Sequence, residues 1–109
     1  MIRSVVFSPA AAQQLSALNR FLTVRASALV ANRYVTAIVR HCESLGRAPE
    51  LGTPRPDIRP GLRTTHDKGR VVIAYGIGVA QVSIYGVFYG GQNHEAILRA
   101  DQGGGALPR

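Results

Sequence analysis

The chain has one cysteine, Cys42, one lysine, Lys68, and only six carboxylate side chains in 109 residues. A lone cysteine cannot close an internal disulfide, so folding does not depend on an oxidising compartment. No apolar run approaches the roughly 20 residues that a membrane-spanning helix needs. The opening residues Met1 to Pro9 lack a long apolar segment followed by a small-residue cleavage site. These absences point to a cytoplasmic protein with no membrane partner. The shortage of acid has its own consequence. Thirteen Lys and Arg stand against the six Asp and Glu, for a formal net charge of +7. Such an excess asks for an acidic partner: nucleic acid, an anionic surface or an acidic protein segment. All the basic residues but Lys68 are Arg, whose planar fork meets a carboxylate or phosphate in two parallel hydrogen bonds. A general bias toward Arg and Ala would produce the same count without any partner.

The length allows one domain with a single modest core. Ile2 to Phe7 is short, apolar and rich in β-branched residues, which reads as a strand. Ser8-Pro9 then supplies an N-cap and a first helical residue, because proline has no N–H to lose there. Ala11, Leu15, Leu18 and Leu22 recur at spacings of four and three and mark one apolar helical stripe. Ser27 caps a second helix, whose stripe is Ala31, Tyr34, Ile38, Cys42 and Leu45. Gly46 follows as the residue after the cap. Pro49, Gly52, Pro54, Pro56, Pro60 and Gly61 break regular structure, so Arg55 to Pro60 reads as an extended, stiffened connection.

Leu62 to His66 is a short strand candidate, and Asp67-Lys68-Gly69 is turn chemistry with Gly69 able to take positive φ. Arg70 to Ile77 and Gln81 to Tyr89 are strong strands by composition. Their alternation is imperfect, which fits central strands buried on two faces. Gly76 and Gly86 inside them allow a bulge or a close approach of other atoms. Asn93 can cap a short helix to Arg99. The expected architecture is α+β, ordered β-α-α-β-β-β, with a helical hairpin on a mainly antiparallel sheet. Residues 1–99 form the domain and 100–109 a flexible tail.

No chemistry-bearing motif stands out. Cys42 lies on a helix stripe with no activating neighbour and reads as a small core residue. His41, His66 and His94 are scattered without metal-ligand spacing, so neither a metal nor another cofactor is expected. Gly90-Gly91 and Gly103 to Gly105 lack the strand–turn–helix setting of a phosphate-binding loop. Tyr75 and Tyr85 read as packing residues that face the helices or meet across the strand pair.

The order of elements, with certain residues at certain places, resembles the ParE/RelE superfamily of toxins. Ser8-Pro9-Ala10-Ala11 is similar to the family's opening S-x-x-A. The second-helix stripe with Cys42 one turn from its end, Pro49-x-x-Gly52, and Asp57-Ile58-Arg59-Pro60-Gly61-Leu62-Arg63 follow in the family's order. Arg70 to Tyr75 and Gly90-Gly91-Gln92-Asn93 stand where the family has its R-x-x-x-x-Y strand and its H-G-x-x-D ending. Tyr89 replaces the usual His, and Asn93 the usual Asp. The resemblance implies a toxin of a type II toxin–antitoxin system, neutralised by an acidic antitoxin in a hetero-oligomer. RelE-like members cleave ribosome-bound mRNA without a metal, whereas ParE-like members are associated with poisoning DNA gyrase.

Metal-free RNA cleavage needs a base, an acid and cations for the developing phosphorane charge. Here Arg63, Arg70 and His94 are the conceivable set, and the C-terminal segment, where RelE-like enzymes place another Arg and a Tyr, has no Tyr and only the late Arg99. The expectation is therefore a ParE-like toxin that is not an enzyme. A ribosome-dependent endonuclease and a non-toxic partner-binding relative are the alternatives. Arg59, Arg63, Arg70, Tyr89, Gln92 and His94 are the candidate residues for antitoxin or target binding. For Arg59 and Arg63 the competing reading is a solvated basic face.

Overall fold

The computed structural model describes residues 2–90 and 93–104, with side chains described through Arg99. The chain runs β1 (Ser4–Phe7), α1 (Pro9–Arg25), α2 (Ala28–Ser44), a short 3-10 turn (Pro49–Leu51), β2 (Thr53–Pro54), β3 (Leu62–Asp67), β4 (Val71–Ile77), β5 (Gln81–Tyr89) and α3 (His94–Gly104). The described strands form one sheet in the order β1-β5-β4-β3-β2. β1 pairs with β5 in parallel and the other pairings are antiparallel. The α+β hairpin-on-sheet expectation holds, with two additions. The edge strand β2 emerges from the proline-rich stretch, and α3 covers the second face of the sheet.

Capping explains both hairpin helices. Ser8 Oγ accepts the Ala11 N–H (3.0 Å), Pro9 takes the first helical position, and the same hydroxyl donates to the Tyr85 carbonyl (3.1 Å). One side chain thus starts α1 and ties it to β5. Ser27 Oγ accepts the Val30 N–H (3.1 Å) and starts α2. Gly46 does follow the α2 cap, but its φ is not left-handed. A Cβ there would run into the Arg3 carbonyl oxygen, and Arg3 N–H donates to the Gly46 carbonyl (2.9 Å). Close approach of β1, not helix-ending geometry, is what requires the glycine.

The sheet is buried on both sides. Ala11, Leu15, Leu18, Ile38, Cys42 and Leu45 from the hairpin meet Val71, Ile73, Tyr75, Val82, Ile84 and Val87. On the other face Ile58, Leu62, Ala74, Phe88 and Leu98 form a smaller cluster under α3. The imperfect alternation of β5 has a definite cause. Ala74 pairs with Gly86 but Tyr75 pairs with Ile84, so Tyr85 is an extra residue. This bulge changes which residues face the hairpin, from Val82 and Ile84 to Val87. Gly86 leaves room for the Phe88 ring, and Gly76 for Tyr85.

Two local expectations change. Arg55 to Pro60 is not extended: the Arg55 carbonyl accepts from both Ile58 and Arg59 N–H, folding the segment into a compact turn that buries Ile58. The prolines limit φ but do not oppose a turn. Helix α3 also runs to Gly104, beyond Arg99 and into the glycine-rich segment. At the β3–β4 turn Gly69 takes φ 74° as expected, and Lys68 takes φ 54° as well.

Tyr75 is fully buried on the hairpin side, and Tyr85 lies on the α3 side beneath Arg59. The Tyr75 hydroxyl donates to the Pro49 carbonyl (2.7 Å) and accepts the Gly52 N–H (2.8 Å), pinning the irregular segment to the core. Tyr75→Phe should cost about 1–3 kcal/mol in urea unfolding, because a buried donor and a carbonyl lose their partner together.

Candidate interaction groove

β1 covers β5 only from Gln81 to Ile84. Past Ile84 that edge of β5 has α1 beside it, and Gln14 Oε1 accepts the Val87 N–H (2.7 Å). Between them opens a groove of about 430 Å³ lined by Gln14, Ala17, Leu18, Phe21, Val87 and Tyr89. Its far end is aromatic. Phe21 and Tyr34 both pack on Tyr89, at ring-centroid distances of 6.1 and 5.9 Å, the second edge to face. Phe21 remains 42% exposed, a large apolar ring left outside the core.

Cations stand around this aromatic end. The Arg25 guanidinium lies 4.5 Å over the Phe21 ring, and Lys68 Nζ lies 5.9 Å from the Tyr34 ring centroid. The Arg70 carbonyl accepts the Gly90 N–H (2.9 Å), and Val71 pairs with Tyr89, so Arg70 sits beside the same end. Burial raises the Tyr34 phenol above its ordinary range, with Tyr89 and Asp67 adding to the effect and Arg70 opposing it. The nearby carboxylate, Asp67, is engaged by His41 Nδ1 at 2.9 Å. This contact joins the last turn of α2 to the β3–β4 hairpin. No carboxylate among the described residues lines the groove. An apolar trough with an aromatic anchor and a basic rim suits a peptide that is apolar on one side and acidic on the other.

The other candidate residues lie elsewhere. Arg63 pairs with Tyr75 across β3–β4 and so faces the hairpin side, where it donates to the Gly52 carbonyl (2.7 Å) and the Glu50 carbonyl (3.4 Å). From its level on the ladder to Asp67–Val71 is four residues, about 13 Å at strand rise, and Arg70 lies in the turn beyond. Arg59 lies 4.8 Å over the Tyr85 ring on the α3 side. His94 is on that side too, with its ring 6.0 Å from Phe88. Arg63, Arg70 and His94 therefore do not converge. Gln92 lies outside the described residues. Cys42 is fully buried, and burial pushes its thiol up to about 12, which keeps it protonated.

Sequence reading missed Gln14, Phe21 and Arg25, and took Tyr34 only as a stripe residue. A signal was present: Gln14, Ala17 and Phe21 recur at three and four beside the core stripe of α1. Such a flanking stripe is also what an ordinary wide apolar face looks like, and only the missing strand beside β5 makes it a groove.

Comparison with known proteins agrees with the fold. The family model described as the ParE toxin of the type II toxin–antitoxin system parDE matches residues 5–94. The chain belongs to the ParE toxin family. Among solved structures it is similar to the chromosomal ParDE toxin–antitoxin system from P. aeruginosa, with TM-score 0.71 and 22% identity. That match covers 82% of this chain and 97% of the other. No curated protein matches the chain.

Under the opposite face an ion network fastens α3. Arg55 holds Asp57 in two hydrogen bonds (3.0 and 2.8 Å) and reaches Glu95 (2.9 Å), while Arg99 stands 3.5 Å from Asp57 and 3.6 Å from Glu95. Hydrogen bonds from Arg55 lower the pKa of both carboxylates, and burial lowers that of His94. The stabilisation from the carboxylates is complete above their ordinary range and lost as pH falls through the lowered, folded values. A neutral, partly buried His94 contributes above its ordinary value of 6.5 and starts to lose that contribution as pH drops below it. Hydrogen exchange of α3 amides, corrected for intrinsic rate, should accelerate first below about pH 6.5 and again below about pH 4. His94→Gln should remove the first step and keep the second.

Proposed function

We propose that this ParE-family chain is a toxin that inhibits DNA gyrase by binding, without bond-breaking chemistry of its own. We also propose that an acidic antitoxin neutralises it by seating an amphipathic segment in the α1–β5 groove. The observation that carries the reading is the groove itself: an apolar trough ending at Phe21, Tyr34 and Tyr89 beneath Arg25, Lys68 and Arg70. A disordered acidic chain folding there would be steered by the net charge of +7 and held by apolar burial. A non-catalytic toxin is supported by the separation of Arg63, Arg70 and His94. Soluble action in the cytoplasm is part of the same reading. Among the described residues no helix is long and apolar enough to cross a membrane.

Two measurements test the proposal. The purified chain should inhibit gyrase supercoiling and leave ribosome-bound mRNA intact. Cleavage of that mRNA, abolished by Arg70→Ala or His94→Ala, would replace the reading with an endonuclease. Phe21→Asp should weaken antitoxin binding by about tenfold or more, as loss of an aromatic anchor does, with little change in the unfolding midpoint. Unchanged affinity would move the antitoxin to another surface.

A further inference from the structure

The outward face of α2 carries a second feature, separate from the groove. At 3.6 residues per turn, Arg33 and Arg40 fall on the side of α2 away from Ala31, Ile38 and Cys42, which face the core. They are seven residues apart, about 10 Å along the axis at 1.5 Å per residue. With Asn32, Thr36 and Ala37 they line a shallow open depression of about 310 Å³. Neither arginine has an ion-pair or hydrogen-bond partner among the described residues. Glu43, the acidic residue of the same helix, pairs with neither of them. Asn32 is held by its oxygen, which accepts from Asn19 Nδ2 (2.9 Å), so its NH2 is the group left to donate. Thr36 adds a hydroxyl.

The depression therefore offers two forks, an amide and a hydroxyl, all able to donate, on a helix and with no carboxylate among the described residues lining it. We propose that this face binds the phosphodiester backbone of a nucleic acid. Its chemistry favours that ligand over an acidic protein. The lining has one apolar side chain, Ala37, and nothing large enough to anchor a protein interface, whose energy comes from buried aromatic or aliphatic groups. Guanidinium, hydroxyl and amide donors are the usual partners of phosphate oxygens, and such contacts position a backbone without reading sequence. The proposal is independent of the antitoxin groove.

The test is fluorescence anisotropy with the full chain, titrated with salt against two labelled probes, a DNA duplex and a structured RNA of equal length. For the duplex, each phosphate contact contributes about 0.9 to the magnitude of the slope of log K against log salt. Arg33→Gln and Arg40→Gln should each reduce that slope by about 0.9, and Arg33→Lys should retain it, because a lysine still neutralises a phosphate. Arg3→Gln, which removes the same charge from the sheet end, should leave the slope unchanged. Both α2 arginines are exposed, so the unfolding midpoints should match the parent. Tighter binding of one probe identifies the backbone as DNA or RNA. An equal loss of slope in Arg3→Gln would reduce the binding to net charge and overturn the proposal. Binding of polyglutamate but of neither nucleic acid would also overturn it, assigning the face to a protein.

Discussion

β5 is the strand on which the rest of the molecule is assembled. It pairs with β1 in parallel and with β4 in antiparallel, and it contributes side chains to the clusters on both faces. The bulge at Tyr85 makes this double duty feasible. Before it, Val82 and Ile84 point to the helical hairpin; after it, Val87 does, while Phe88 turns to α3. Ser8 and Gln14 of α1 attach on either side of the bulge, to the Tyr85 carbonyl and the Val87 N–H. The same arrangement ends the β1 pairing at Ile84 and opens the groove. Fold and candidate interaction surface thus have one structural origin.

The charge distribution divides the molecule further. Arg55 and Arg99 are committed to Asp57 and Glu95 under α3, and Arg63 to backbone carbonyls of the 50–52 segment. Asp67 is committed to His41. With Asp57, Asp67 and Glu95 so engaged, no carboxylate among the described residues lines the groove or the depression on α2. Excess Arg is therefore not one patch. Part of it is internal fastening, and part faces solvent on two separate surfaces.

Much of the fold was legible in order along the chain. Ser8-Pro9 and Ser27 announce the two hairpin helices because capping is local hydrogen bonding. The stripes of α1 and α2 name the buried residues because helix period is a local property. β5 was readable at its true bounds, Gln81 to Tyr89, from β-branched and aromatic composition. Less legible were the parts set by distant partners. Gly46 is a glycine because Arg3 passes over it, and the 55–60 segment turns because Ile58 has a core to enter. α3 finds its apolar cover only once β3, β4 and β5 present Leu62, Ala74 and Phe88.

What the sequence determined by itself, then, was the order of the main elements and the main core, since these rest on period, capping and turn chemistry within about a dozen residues. The family was legible as a resemblance in motifs spread along the chain. Grouping was left to the tertiary structure. Arg63, Arg70 and His94 look like a possible set in one dimension, yet strand register and the two-faced sheet hold them apart. Gln14, Phe21, Tyr34 and Tyr89 look unrelated, yet the end of β1 and the packing of α1 on β5 bring them to one groove. Side-chain neighbourhood across a sheet depends on register and on which face each residue takes; along β5 both change at a bulge that Gly86 permits but whose position the local pattern does not fix.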